Sequence, residues 1–194
     1  MTDNLLRLRK TLKKKFRQRK KMFGGWVSYS HPSITETFAR MDIDFLAIDM
    51  EHSTISAEEA QRIISSSQGL NIPCLPRPVS HSNDIFKPIL ESGSDGLIVT
   101  SVENIKQLEL IIKNFKYPPI GQRPFGVNRA QGYGHNTEEY YSNWNNSSSL
   151  IIQIENVEGL KNSEELIRNN NVDGVMVGPY DLSGSLGIPG DFKN

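Results

Sequence analysis

The chain has 194 residues, 37% of them hydrophobic, and its 22 basic and 22 acidic side chains give a net charge of zero. No apolar stretch approaches the roughly 20 residues of a membrane span, the amino terminus lacks a secretory apolar segment, and the single cysteine, Cys74, excludes an internal disulfide. This composition predicts a globular cytoplasmic protein without a membrane partner.

The charge is unevenly distributed along the chain. Ten basic residues and one acidic residue, Asp3, lie in the first 22 positions, so this segment carries +9 and the remainder carries −9. Such a segment can bind nucleic acid or anionic lipid. Its leucines and Phe16 instead favour a solvated amphipathic helix that packs on the rest of the protein, because no aromatic residues alternate with the basic ones as nucleic-acid binding would need. We therefore predict a basic helix over 1–22 and a main domain over 23–194.

Strand-like and helix-like segments alternate through the main domain. Predicted strands lie at 23–28, 44–49, 72–76, 96–100, 150–155 and 174–177. Helices are predicted after the first five of these strands, among them helices over about 102–113 and 157–168. The spacing of Ser33 with Glu36 and of Ser56 with Glu59 indicates two capping boxes. The segment 116–136, rich in proline and glycine, is predicted to be a long functional loop. This alternation predicts an α/β fold with a parallel sheet and external helices.

Polar residues follow the predicted strands at their carboxyl ends, which is where parallel α/β folds place their sites. Asp49, Glu51 and His52 follow the second strand, Arg77 the third, and Thr100 ends the fourth. Glu155 ends the fifth strand and Asp181 follows the sixth. If the sheet curls, these groups converge at one end of the protein.

The chemistry of these groups favours a metal-assisted reaction. Glu155 and Asp181 would repel each other unless a hard divalent cation lay between them, although a salt bridge from either acid to Arg77 is the simpler alternative. Arg77 can bind a carboxylate through two nitrogens, and Asp49 can hold His52 as a base. Gln153, on the same strand face as Glu155, can bind substrate or position the metal. Together these groups suit an enolate formed next to a carboxylate.

Seven ordered segments between about residues 20 and 194 resemble the HpcH/HpaI aldolases, which are metal-dependent class II pyruvate aldolases. The segments are Gly25-Trp26-Val27-Ser28, Asp49-Met50-Glu51-His52, Pro76-Arg77-Pro78, Tyr117-Pro118-Pro119 through Arg123, Arg129-Ala130-Gln131-Gly132-Tyr133-Gly134, Gln153-Ile154-Glu155 and Gly178-Pro179-Tyr180-Asp181-Leu182-Ser183. The resemblance implies a TIM (β/α)8-type barrel with about six of its eight units present. It also implies reversible retro-aldol cleavage of a 2-oxo-4-hydroxy acid to pyruvate and an aldehyde.

The resemblance also implies roles for individual residues. Glu155 and Asp181 would bind Mg²⁺, Mn²⁺ or Co²⁺, which stabilises the pyruvate enolate. Arg77 would stabilise the enolate oxygen, and His52, oriented by Asp49, would be the base. Gln153 and the backbone near Tyr180 and Asp181 would bind the substrate. A homo-hexamer is implied for the full-length family protein.

The chain reaches Asn194 soon after the sixth strand, so we expect an incomplete barrel with two exposed sheet edges and weak activity in isolation. Acceptor specificity is expected in the 116–136 loop or in a neighbouring subunit. Two other functions remain open. One is another enolate-forming lyase that uses phosphoenolpyruvate or an acyl-CoA, and the other is a non-catalytic role of the basic helix.

Overall fold

The computed structural model describes residues 2–193 as an α/β arrangement in which nearly every strand is followed by a helix. The six strands are β1 (Gly24–Val27), β2 (Phe45–Asp49), β3 (Cys74–Arg77), β4 (Gly96–Val99), β5 (Ser149–Ile154) and β6 (Gly174–Val177). The helices are α1 (Thr2–Arg17), α2 (Pro32–Phe38), α3 (Ala57–Gly69), α4 (Asn83–Glu91), α5 (Ile105–Phe115), α6 (Thr137–Ser147), α7 (Val157–Lys161), α8 (Ser163–Arg168) and α9 (Pro179–Ser185). A 3₁₀ helix spans Arg129–Gly134.

The strands form two parallel sheets, in the orders β1-β2-β3 and β4-β5-β6. The Asp95 N–H donates to the Cys74 carbonyl at 2.9 Å, which joins the start of β4 to the start of β3. The predicted parallel α/β class is confirmed. No closed barrel forms within residues 2–193, because β1 and β6 are each paired on one side only.

The core lies on both faces of the central strands. All the residues of β3, β4 and β5 are buried, as the continuous apolar runs predict, whereas exposed residues alternate with buried ones in β1 and with half-buried ones in β6. The largest apolar cluster packs the outer face of β4 and β5 against α4, α5 and α6, with Trp144 and Phe115 fully buried. These central strands therefore hold their carboxyl ends in fixed positions.

Helix boundaries differ from the prediction in three places. Helix α2 begins at Pro32 with His31 as its N-cap residue, so the predicted Ser33–Glu36 capping box is wrong. Proline at the first helical position needs no N–H partner, which favours this earlier start. The capping box of Ser56 with Glu59 is confirmed. The predicted helix over 157–168 is divided at Asn162 into α7 and α8, and α5 begins at Ile105, after the Asn104 cap.

Helix α1 lies across the amino ends of the strands. Arg9 pairs with Asp95 at 2.6 Å, and Lys13 and Arg17 both pair with Asp173 at 2.6 Å. Lys15 pairs with Asp44 at 2.5 Å. Each of these aspartates directly precedes a strand, respectively β4, β6 and β2. Four of the basic residues of α1 therefore neutralise acids at the base of the sheet. No helix in residues 2–193 combines the length and apolarity of a membrane span.

The long segment after α5 lies at the same amino end. Arg123 pairs with Glu91 at 3.0 Å, and the Arg129 guanidinium donates to the Ser92 carbonyl at 2.9 Å, both at the carboxyl end of α4. In a parallel α/β unit that end of a helix adjoins the amino end of the next strand. Arg123 and Arg129 therefore lie at the end of the strands opposite Asp49 and Arg77, and the role of this loop in acceptor specificity stays a prediction. Turn chemistry predicts an irregular loop but does not show where the loop packs.

Candidate active site

The candidate site begins with Asp49, the last residue of β2, whose carboxylate is 4% exposed. Its Oδ2 accepts from Arg77 Nη2 at 2.8 Å and from Trp26 Nε1 at 3.3 Å. Its Oδ1 accepts from the backbone N–H groups of Glu51 and His52 at 3.1 and 3.0 Å. Burial acts to raise the pKa of Asp49, but the hydrogen bonds from the His52 N–H and from Arg77 outweigh burial and hold this pKa below its ordinary value. Asp49 is therefore a fixed anion.

Arg77, the last residue of β3, is the centre of the site. Register places it beside Asp49 in the β2–β3 ladder, and it is 6% exposed. Its Cζ lies 4.8 Å from the centroid of the Trp26 ring, a cation–π contact. The remaining nitrogen, Nη1, lies 3.1 Å from Glu51 Oε2 and 3.4 Å from Gln153 Oε1. The guanidinium thus bridges the ends of β2 and β5.

Gln153 and Glu155 extend this network along the end of β5. Both side chains are buried, and Gln153 Nε2 donates to Glu155 Oε2, so the predicted common strand face is observed. Glu155 Oε1 accepts from both the backbone N–H and the hydroxyl of Ser101. The structure therefore joins Asp49, Arg77, Gln153 and Glu155 through continuous hydrogen bonds.

His52 and Asp181 lie at the margin of this network. The His52 side chain is 66% exposed, and its Nε2 lies 3.6 Å from Glu51 Oε2. The bond from residue 52 to Asp49 uses the backbone N–H, so the imidazole contacts Glu51 where the sequence predicted Asp49. Asp181 is exposed in the first turn of α9. That helix starts after Gly178, where a Cβ would lie 2.8 Å from Glu155 Cβ, so the α9 amino end directly adjoins Glu155.

Tyr180 lies near this edge but is not packed within the site. Its side chain is 70% exposed, and its ring packs edge-on against Phe192 at a centroid distance of 4.9 Å. The structure therefore places the side chain of Tyr180 in solvent at the start of α9. The predicted substrate contact of Tyr180 uses its backbone, does not depend on this side chain, and stays a prediction.

The charge of the site supports the binding of a cation. Asp49, Glu51 and Glu155 surround a single buried arginine, and burial raises the pKa of Glu51 above its ordinary value, with Glu155 adding repulsion. Glu51 Oε2 is buried and makes no aligned hydrogen bond, although it is near Arg77. Such an oxygen is costly to bury. Among residues 2–193 no group of three or more His, Cys, Asp or Glu side chains is arranged as a metal site, so an ion here would also need water or substrate oxygens.

Three contributors were missed by the sequence prediction of roles. Trp26 packs on Arg77, Glu51 lies between Arg77 and His52, and Ser101 holds Glu155. The sequence could have indicated Glu51, because it lies two residues after Asp49 and residues two apart in an extended strand point to the same face. Trp26 lies in β1 and Ser101 follows β4, and only the tertiary fold decides which side chains they contact.

The fold and the site define a class of protein: a parallel α/β protein with an arginine–carboxylate centre at the carboxyl ends of its strands. The chain belongs to the HpcH/HpaI aldolase/citrate lyase family, whose profile matches residues 22–193.

Two relatives show the extent of the similarity. The chain is 31% identical to 2-keto-3-deoxy-L-rhamnonate aldolase of Escherichia coli K12 over 179 residues, which cover 91% of this chain and 67% of that protein. It is 32% identical to hydroxypyruvate/pyruvate aldolase of Roseobacter denitrificans, over 93% of this chain and 71% of that one.

The crystal structure of an HpcH/HpaI aldolase/citrate lyase family protein from Burkholderia cenocepacia superposes with a TM-score of 0.87 at 26% identity. The superposition covers 93% of this chain and 73% of that one. The comparisons therefore support a lyase or aldolase of this family.

Proposed function

We propose that the protein is a metal-dependent carbon–carbon lyase that cleaves a 2-oxo-4-hydroxy acid to pyruvate and an aldehyde, and that catalyses the reverse addition. The observation that carries this proposal is the buried Arg77 guanidinium, which lies between the ends of β2 and β5, with Nη1 3.1 Å from Glu51 Oε2 and 3.4 Å from Gln153 Oε1. The names of the aldolase relatives agree with this chemistry. We also propose that the six strands are consecutive strands of an incomplete (β/α)8-type barrel.

In this reaction the exposed imidazole of His52 accepts the proton of the 4-hydroxyl group. The C3–C4 bond then breaks, the new carbonyl leaves as the aldehyde, and the bonding electrons form the enolate of pyruvate. Arg77 Nη1 donates to the oxygen on which negative charge develops. Transfer of this proton from His52 to C3 gives pyruvate and restores the imidazole as a base. Asp49 keeps Arg77 in place through two nitrogens, and Gln153 orients Glu155.

Glu155 and Asp181 are the residues proposed to hold a divalent cation, with Glu51 close by as the unsatisfied carboxylate. Bound there, Mg²⁺, Mn²⁺ or Co²⁺ supplies positive charge that stabilises an enolate. The excess of carboxylates over cationic side chains in the site fits this role.

The test is pyruvate release from a panel of 2-keto-3-deoxy sugar acids, followed with a lactate dehydrogenase coupled assay. We expect release to stop after chelation with EDTA and to return with Mg²⁺, Mn²⁺ or Co²⁺. Activity that persists after thorough chelation would eliminate the metal role. Because the family description also names citrate lyase, acyl-CoA and phosphoenolpyruvate substrates form a second panel. Turnover confined to that panel would favour the other type of enolate-forming lyase.

A further inference from the structure

Ser101 is the first residue to consider, because its backbone has a conformation that non-glycine residues rarely adopt. Its φ is +48°. The other non-glycine residues with positive φ among residues 2–193 are Arg19, Asn71 and Tyr133. Arg19 and Asn71 lie two residues beyond the ends of α1 and α3, and Tyr133 lies in the kinked 3₁₀ segment, so each has a local reason. Ser101 follows a strand, where no such reason applies.

The contacts of Ser101 are directed at the proposed active site. Its backbone N–H donates to Glu155 Oε1 at 2.7 Å, and its hydroxyl donates to the same oxygen at 2.5 Å. The next N–H, of Val102, donates to the Gln153 carbonyl at 3.2 Å. Consecutive residues after β4 therefore bind the end of β5. A strained residue that persists at such a position indicates a functional constraint.

These bonds determine how Glu155 presents its carboxylate. Ser101 occupies Oε1 with two donors, and Gln153 donates to Oε2. A carboxylate offers about four acceptor sites, so the carboxylate keeps a free lone pair in a fixed direction. Glycine would adopt φ +48° without strain but would lose the hydroxyl donor. The serine side chain is thus explained by its bond to Glu155.

We propose that Ser101 is a positioning residue that orients Glu155 for binding a divalent cation. This inference rests on the proposed function, in which Glu155 is a metal ligand. Groups that hydrogen-bond a metal ligand orient it, and their loss typically weakens metal binding by about 10–100-fold. Ser101 acts only through Glu155, so its effect should appear in cation affinity even without substrate.

The test measures Mn²⁺ binding to the metal-free full chain by electron paramagnetic resonance, in which bound Mn²⁺ loses its free-ion signal. We expect Ser101→Ala and Ser101→Gly each to raise the Mn²⁺ dissociation constant about tenfold. Ser92→Ala is the matched control. The Ser92 hydroxyl donates to the Pro88 carbonyl at 2.8 Å, at the opposite end of the strands. The Ser92→Ala variant should therefore bind Mn²⁺ with the wild-type dissociation constant.

Thermal unfolding of the metal-free variants separates positioning from a merely structural role. Ser101→Gly should melt above Ser101→Ala, because glycine relieves the strain of positive φ, while both bind Mn²⁺ equally weakly. Altered melting with wild-type Mn²⁺ affinity in both variants would overturn the inference.

Glu155→Gln distinguishes the two proposals. If it abolishes Mn²⁺ binding while both Ser101 variants bind normally, only this inference fails. A wild-type chain that binds no Mn²⁺ would overturn the proposed metal site as well.

Discussion

Arg77 shows how single residues define this site. It is almost fully buried, and its guanidinium contacts polar side chains at the ends of other strands, namely Asp49, Glu51 and Gln153. Two carboxylates stabilise its charge, and the Trp26 ring covers one face. A planar guanidinium can make these contacts together, whereas the point charge of lysine cannot.

Replacing Arg77 should therefore affect catalysis strongly. We expect Arg77→Ala to lower kcat/KM by roughly 10²–10³, the usual cost of removing a donor to a developing oxyanion. Arg77→Lys should recover little of this loss because the two-nitrogen bond to Asp49 is lost. Steady-state pyruvate release measures both, with the exposed Arg62→Ala as control. A near-normal rate for Arg77→Ala would refute the assigned role.

The pKa of Glu51 is shifted in the opposite direction to that of Asp49. Burial raises its pKa, so its charged form is disfavoured in the folded chain. Its contribution to stability is therefore favourable below its unfolded pKa and is lost as the pH rises through the folded pKa. Asp49, with a lowered pKa, stabilises the fold above its unfolded pKa and loses this contribution as the pH falls through its folded value.

We predict that metal-free Glu51→Gln is at least as stable as the wild type at pH 7. Any gain in its free energy of unfolding should shrink as the pH falls toward the carboxyl range. Urea unfolding followed by circular dichroism at several pH values measures this. Asp49→Asn serves as the comparison, and it should be destabilised at pH 7. Loss of stability in Glu51→Gln at pH 7 would show that its ion pair with Arg77 outweighs burial.

Helix α1 carries much of the basic charge of the chain, and in the structure this charge attaches the helix to the starts of the strands. The paired aspartates also accept backbone N–H groups: Asp95 that of Cys74, Asp173 that of Leu150, and Asp44 that of Phe23. Each aspartate therefore ties α1 to the start of a neighbouring strand. This structural role accounts for four of the ten basic residues in the first 22 positions.

The anchoring role of α1 gives a stability prediction. The Asp173 carboxylate is fully buried and contacts both Lys13 and Arg17. We expect Asp173→Asn to lower the free energy of unfolding by about 3 kcal/mol, because breaking a buried pair leaves an uncompensated charge. Chemical denaturation tests this. Glu164→Gln removes an exposed pair with Arg168 and should cost less than about 1 kcal/mol. Equal effects of the two substitutions would contradict the anchoring role.

At the scale of the whole molecule, β1 and β6 each have one unpaired side within residues 2–193, while the other two edge strands, β3 and β4, face each other between the two sheets. On β6 the apolar side chains of Val175 and Val177 are 38% and 54% exposed, and on β1 Trp26 is 37% exposed. Exposed edges with apolar residues favour association with other strands. The six strands nevertheless suffice to assemble the network from Asp49 to Glu155.

We therefore expect this 194-residue chain to associate as its concentration rises. Val177→Lys should weaken this association because a charge on an edge strand opposes pairing. Sedimentation velocity over a range of concentrations measures the effect. Val127→Lys is the matched control, since Val127 is 64% exposed but lies outside the strands. If Val177→Lys associates as strongly as the wild type, the association does not use the edge of β6.

The sequence by itself determined the alternation of strands and helices along the chain and the convergence of several polar residues at the strand ends. Continuous apolar runs predicted buried parallel strands, and the common carboxyl ends of such strands predicted that Asp49, Arg77 and Glu155 would converge. Only the tertiary structure decided which groups touch: the imidazole of His52 meets Glu51, the loop after α5 packs at the far end, and Ser101 holds Glu155. Side-chain period and strand direction are local properties of the chain, whereas these contacts depend on backbone angles and on packing between segments distant in sequence.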